Sequence, residues 1–338
     1  MHTANRVTLA RLPSGVPVET TVHRYGSGEP TVYVQAAQHG REINGVECCR
    51  RLHERLISSD TAGPTAADFD GTDTACPTAA DLDGTLVVVP VADPLTFDRV
   101  SYTTPEILDS ANPNLNRCWP GDNDGTLHQR IAATLWSYAG DADAIVDLHT
   151  GSPEMRTHTV YLRGDDDSRR LAEAFGTDLL LAEAAGDDAD TEWAERDFGG
   201  KLRVAATREG IPSITPELGS NKQLEDDAIA TGLDGLFGVL RQLEVLDGNP
   251  EPWDGVRARN HLGRVRAADS GLFVPDDGVE LGSDVAPGDT FGTVYDPATY
   301  EPLQTVTADR DGVIYSVARE ATVTAGQTLV GIAERVDE

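Results

Sequence analysis

The chain has 338 residues, enough for one large domain or two ordinary ones, each with its own core. Against 57 Asp and Glu stand 27 Lys and Arg, of which only Lys201 and Lys222 are lysines, and the formal net charge is −30. Such a field repels nucleic-acid phosphates and anionic membrane surfaces, and no apolar run approaches the roughly 18 residues of a membrane span, so neither nucleic acid nor membrane is expected as a partner.

The polar start, Met1 to Arg11, lacks the apolar core of a signal peptide, and the expected compartment is the cytoplasm. The acidic, lysine-poor composition points to adaptation to molar salt, because at about 1 M the Debye length is only about 3 Å and repulsion among carboxylates is screened. Ordinary solubility charge is the plainer explanation. Cys48 and Cys49 are adjacent, Cys76 and Cys118 stand apart, and no Cys-x-x-Cys pair occurs, so free thiols are expected.

Strand and helix patterns alternate through the first 250 residues. Thr31–Ala37 is β-branched and bounded by Gly28-Glu29-Pro30 and His39-Gly40. Val46, Cys49, Leu52 and Leu56 then recur at helical spacing. Residues 60–84 carry a near-repeat, PTAADFDGT and PTAADLDGT, rich in Asp, Thr, Ala and Gly; an expanded acidic surface loop is expected. Leu86–Val91 and Ala144–Leu148 are short apolar runs of the kind buried in parallel sheets, with a helix around Leu127, Ile131, Leu135 and Tyr138 between them. A strand His158–Leu162, a helix around Lys201–Glu209, a strand Ser213–Thr215 and a helix carrying Leu233 to Leu243 follow. The pattern predicts an α/β domain over 1–250, a sheet with helices on both faces. Asn249-Pro250-Glu251-Pro252 reads as a linker, and the short runs beyond it show no helical period, which predicts a small all-β domain over 255–338.

Four places could carry chemistry. His39-Gly40-Arg41-Glu42 sits between a strand and a helix, and an imidazole and a carboxylate three residues apart suit zinc. Asp147-Leu148-His149 ends an apolar strand, and Glu217 follows a short one. Taken singly, each has a plainer explanation: a helix-start Glu, a satisfied core histidine, a second helix-start Glu. Taken together, all fall at the carboxyl ends of strands, where open α/β sheets bind ligands. They supply two His, a Glu and one extra carboxylate, the donor set of a catalytic zinc site. The fourth place is Asn116-Arg117, followed by Cys118-Trp119-Pro120-Gly121, which offers an amide and a guanidinium fork for a substrate carboxylate. A surface salt bridge is the plainer account of that Arg.

The ordered series HGxE, Asn-Leu-Asn-Arg-x-aromatic-Pro-Gly, Asp-Leu-His and a late Glu before Leu-Gly resembles the succinylglutamate desuccinylase/aspartoacylase family, itself related to the zinc carboxypeptidases. The resemblance runs from about Gly28 to about Leu246. It implies a zinc carboxypeptidase-like mixed sheet with a C-terminal barrel-sandwich-like β domain. It also implies one Zn2+ per chain on His39, Glu42 and His149, with Glu217 as general base and proton shuttle. Asn116 and Arg117 would hold the carboxylate of a small N-acylated amino acid. Many relatives carry an Arg between the turn at Asp93-Pro94 and the Asn-Arg motif; here Ser101 and Tyr102 stand in that stretch, and Arg99 is the nearest substitute. Tyr300 or Tyr295 would supply a late tyrosine, and Arg203 and Arg208 stay open for the acyl or carboxylate end.

A metallocarboxypeptidase would share the zinc site, and a non-catalytic metal-binding protein would share its ligands. A lipoyl-like carrier is excluded, because no lysine follows Lys222. The acyl group, the amine and a homo-oligomeric state are left open.

Overall fold

The computed structural model describes residues 1–57, 77–151, 154–183, 193–194, 197–259, 263–319 and 322–336. A hairpin of β1 (His2–Arg11) and β2 (Pro17–Ser27) begins one edge of a large mixed sheet. It was not expected, because β1 buries only Leu9 and Ala10 and has no apolar alternation to read. Inside it lie β4 (Gly84–Val89), β3 (Thr31–Ala36) and β5 (Ala144–Gly151), mutually parallel, and β8 (Ser213–Ser220), parallel to β5. β6 (His158–Leu162) runs antiparallel to β8; β7 (Leu179–Glu183) and β9 (Val256–Arg259) continue parallel to β6.

β3, β4 and β5 are buried along nearly their whole length because both faces of the sheet are covered. On one face α1 (Asn44–Ile57), α4 (Asp166–Phe175) and α6 (Asp226–Gln242) pack Leu52, Leu56, Phe175 and Leu236 on Val32, Val34 and Leu148. On the other, α3 (Leu127–Ala139) and α5 (Leu202–Arg208) pack Ile131, Leu135 and Leu202 on Tyr33, Val87 and Ile145. The one-turn α2 (Pro94–Phe97) is N-capped by Asp93, whose carboxylate accepts from Leu95 and Thr96 N–H.

Beyond β9 every described element is a strand: β10 (Arg264–Arg266), β11 (Gly271–Pro275), β12 (Asp284–Val285), β13 (Thr290–Tyr295), β14 (Pro302–Thr307), β15 (Gly312–Val317), β16 (Thr322–Val323) and β17 (Thr328–Arg335). β17 pairs with β9, β10 and β15 and so prolongs the large sheet, while β11, β13, β14 and β16 form a second one. Phe273, Phe291 and Ile332 lie in the core between them.

Two boundaries moved. β5 runs on to Gly151 and β8 to Ser220, so Glu217 lies within a strand rather than past its end. The apolar run stops at Ile214, and Pro216 reads as a terminator; pairing with β5 and β6 on its two sides carries β8 onward. Residues 60–76 of the acidic loop expected over 60–84, with Cys76, lie outside the described residues; in the rest, Ala79 and Leu82 are buried in the core rather than on the surface. Cys48, Cys49 and Cys118 are buried free thiols. Among the described residues no helix is long and apolar enough to cross a membrane.

Candidate active site

Three segments meet at the ends of β3, β5 and β8. After β3 the chain turns at Ala37, whose φ is +51°, and a bond from Glu42 N–H to His39 O (3.0 Å) closes the turn before α1. Gly40 is required by a close approach: a Cβ there would lie 2.0 Å from the Thr96 carbonyl in α2.

His39, Glu42 and His149 are at most 4% exposed, and one ligand atom from each lies within 4.8 Å of the others. His39 Nδ1 is 2.8 Å from Glu42 Oε1, and His149 Nδ1 is 2.9 Å from Glu42 Oε2. The far nitrogens also face oxygen: His39 Nε2 is 3.2 Å from Asn114 Oδ1, and His149 Nε2 is 3.0 Å from Asp147 Oδ2. Each ring thus has acceptors on both sides. An imidazolium satisfies this arrangement; so does a neutral ring that donates Nε2–H outward and turns its Nδ1 lone pair to a cation beside Glu42. Two nitrogens and a carboxylate are the donor types of zinc, so the residues fit the ion.

The charges agree. Burial alone would raise the Glu42 carboxyl, but His39 and His149 outweigh it and hold the group well below the usual carboxylate range. Burial would lower His149, but Asp147 and Glu42 raise it well above the ordinary histidine value. Asp147 is itself anchored, accepting from Gln35 Nε2 (3.0 Å) and from Gln38 Nε2 (2.7 Å). Tyr33 Oη donates to Gln35 (2.9 Å) and Trp119 Nε1 to Gln38 (2.7 Å), so buried polar groups on both sides fix the Asp147 carboxylate.

Glu217 is the register partner of His149 on one side and of His158 on the other. Its partly open side chain sits deep enough that burial pushes its carboxyl up to about 7; Glu42 and Asp147 push the same way, against His149 and Lys201. Such a group takes and releases a proton near neutral pH.

The 3-10 turn Leu115–Arg117 starts at Asn114, whose Oδ1 accepts from Asn116 N–H (2.9 Å). Asn116 Nδ2 lies 3.4 Å from His149 Nε2, and its Oδ1 accepts from Leu202 N–H (3.3 Å). Arg117 donates to Asn116 O (2.7 Å), stands 3.6 Å from Asp197 and lies over the Phe198 ring. A Cβ on Gly200 would meet Arg117 O at 2.0 Å, so the segment before α5 lies directly on this turn.

The structure therefore brings together His39, Glu42, His149, Glu217 and Asn116, with Arg117 beside them. It adds groups to which the sequence assigned no role. Tyr102, 38% exposed, stacks on His39 with ring centroids 4.0 Å apart. Arg41 lies over the outer part of that arrangement, its guanidinium 4.7 Å from the Tyr102 ring centre. Asn114 faces His39, and Gln38 holds Asp147 beside His149. Tyr102 stands where an Arg was sought, which was the available signal. Arg99 is exposed after α2, and Tyr300 is 81% exposed on the β13–β14 turn. Among the described residues no hydrogen bond or ring contact ties either side chain to the cluster. Arg203 is a buried ion-pair partner of Glu183, and Arg208 donates to Gly199 O and lies over Trp193. Neither is directed at the cluster by these contacts.

A relative from Halomonas elongata, named N-alpha-acetyl-L-2,4-diaminobutyric acid deacetylase, is 26% identical over an alignment 340 positions long, gaps included, that covers 95% of this chain and 87% of the relative. The fold is similar to a succinylglutamate desuccinylase/aspartoacylase from Rhodobacter sphaeroides (TM-score 0.80, 23% identity, 99% of this chain and 96% of that one). It is similar also to the product-bound ectoine utilization protein EutE (DoeB) from Ruegeria pomeroyi (TM-score 0.78, 23% identity, 98% and 94%). The model of the succinylglutamate desuccinylase/aspartoacylase catalytic domain matches residues 75–243. With the ordered motifs and this fold, that match places the chain in the succinylglutamate desuccinylase/aspartoacylase family.

Proposed function

We propose that the chain is a zinc-dependent deacylase that hydrolyses the amide bond of a small N-acylated amino acid or related N-acylated amine. The observation that carries this reading is the register pair of His149 and Glu217, which sets a proton-accepting carboxylate beside a buried two-histidine, one-glutamate donor set. His39, Glu42 and His149 would hold one Zn2+ per chain, which supplies Lewis acidity to water and to the scissile carbonyl.

The chain's own residues do the rest. Glu217 accepts the proton of the attacking water on a carboxylate oxygen. It then delivers that proton to the leaving amine nitrogen and returns to its ionised form. Asn116 and Arg117 hold the substrate carboxylate, and Arg41, stacked on Tyr102, offers a second fork. Residues 1–250 carry this chemistry. In this reading the all-β, barrel-sandwich-like unit of residues 255–338 would crowd the cleft and favour small substrates; support comes from β15, where Tyr315 O accepts from Arg156 N–H (2.8 Å) and the Tyr315 ring meets His158, the register partner of Glu217. The Halomonas relative is named for an amino acid acylated on one of two nitrogens, and we place such diamino-acid derivatives first among substrates. The acidic composition suits work in a salt-rich cytoplasm.

The test is amine release from a panel of N-acyl amino acids and free dipeptides in molar KCl, with chelator and zinc add-back. Chelator-reversible turnover of an N-acyl amino acid is expected; turnover of peptides alone would make the chain a carboxypeptidase. Glu217→Gln should retain zinc and lose about 10²–10⁴ in kcat. Wild-type turnover in that variant would overturn the role of Glu217.

A further inference from the structure

A second cluster of nitrogen donors lies where the edge hairpin meets α1. In the β1–β2 register His2 stands opposite Tyr25 and Ala4 opposite His23, so His2, His23 and Tyr25 point to one face. α1 lays His53 across that face, with its ring centroid 5.0 Å from His2 and 5.4 Å from His23. His2 Nε2 is 3.2 Å from His23 Nδ1, and one ring nitrogen of each histidine lies within 4.8 Å of the other two. The cluster shares no residue with the His39–Glu42–His149 group.

We propose that His2, His23 and His53 form a second transition-metal site, one that clips the edge strand β1 to α1. A tetrahedral ion with metal–nitrogen bonds of about 2.0–2.1 Å holds its nitrogens about 3.3 Å apart. The His2–His23 pair already has that spacing, and His53, with a ring nitrogen within 4.8 Å of both, would turn to fill the third corner. The half-buried position of the rings leaves the fourth to water. Three imidazoles without a carboxylate select a borderline cation such as Zn2+, Co2+, Ni2+ or Cu2+ over Mg2+ or Ca2+.

The cluster has its own outer support. Tyr25 Oη lies 2.7 Å from His53 Nδ1. With Nδ1–H donated to that oxygen, His53 turns Nε2 to the ion, the arrangement that orients metal-bound histidines elsewhere. An ion there would join β1, β2 and α1 at the exposed edge of the large sheet, where β1 buries few side chains of its own.

The test uses untagged full-length protein carrying His39→Ala and His149→Ala, titrated with Zn2+ or Co2+ alone. One equivalent per chain is expected, with the visible absorption of tetrahedral Co2+. Zn2+ at a hundredfold excess over Kd should raise Tm by roughly 5 °C. Adding His23→Gln and His53→Gln should abolish all three signals. Absence of binding to the first protein, or equal binding after the second pair of substitutions, overturns the proposal. Should the His39→Ala/His149→Ala protein not fold, the same counting applies to the wild type. Two equivalents falling to one in His23→Gln/His53→Gln, with turnover unchanged, supports the site, and an unchanged count removes it.

Discussion

Asn114 Oδ1 lies 3.2 Å from His39 Nε2 and also accepts the Asn116 N–H at 2.9 Å. One amide oxygen thus orients a histidine of the proposed zinc site and starts the turn that carries Asn116 and Arg117. Asn114→Ala should weaken zinc binding about 10–100-fold, measured by competition with a chelator. Asn114→Asp, which keeps an acceptor there, should restore most of the affinity.

Gly40 admits no side chain, since a Cβ would sit 2.0 Å from the Thr96 carbonyl. Gly40→Ala must push α2 away from the His39 turn, and overpacking of this kind costs about 1–3 kcal/mol. Urea unfolding of the metal-free protein reads that loss. Zinc affinity should fall with it, because His39 and Glu42 flank the displaced residue.

His158 is buried against Tyr315, and burial lowers its pKa from 6.5 to about 4. Between those values the unfolded chain binds a proton that the folded chain does not, so stability falls as pH falls through this window. From pH 7.5 to pH 5 the contribution is about 2 kcal/mol. Chelator-treated His158→Gln should lack that part of the slope in denaturant titrations at the two pH values.

Salt should stabilise the protein. Exposed pairs such as Arg50 with Glu54 and Arg170 with Asp167 contribute only about 0.5 kcal/mol each and weaken on screening. Repulsion within a chain of net charge −30 weakens as well, and it is the larger effect. Tm is expected to rise between low and molar KCl; a flat or falling Tm would assign the acidity to solubility alone.

The site was legible where chemistry and local order coincide. His39 and Glu42 are three residues apart and flank a turn, so one segment carries both. Asp147 and His149 share one face of a strand by its period of two. The helices α1 and α3 were visible in their apolar spacing. The hairpin β1–β2 was not, because an edge strand exposed along most of its length needs no apolar alternation. Arg99 and Tyr300 were placed by chain position alone, and position does not tell which side chain turns inward. The structure puts Tyr102 against His39 and leaves Tyr300 exposed.

By itself the sequence determined the donor types, the order of the motifs, the alternation of strand and helix, and the charge. Those are properties of residues and their near neighbours. Only the tertiary structure decided that β8 runs on past Pro216, setting Glu217 level with His149, and that Asn114, from a distant loop, faces His39. It also brought His2, His23 and His53 together. Strand register and helix docking are set by burial and pairing between segments far apart in the chain, and no local pattern encodes which of those segments meet.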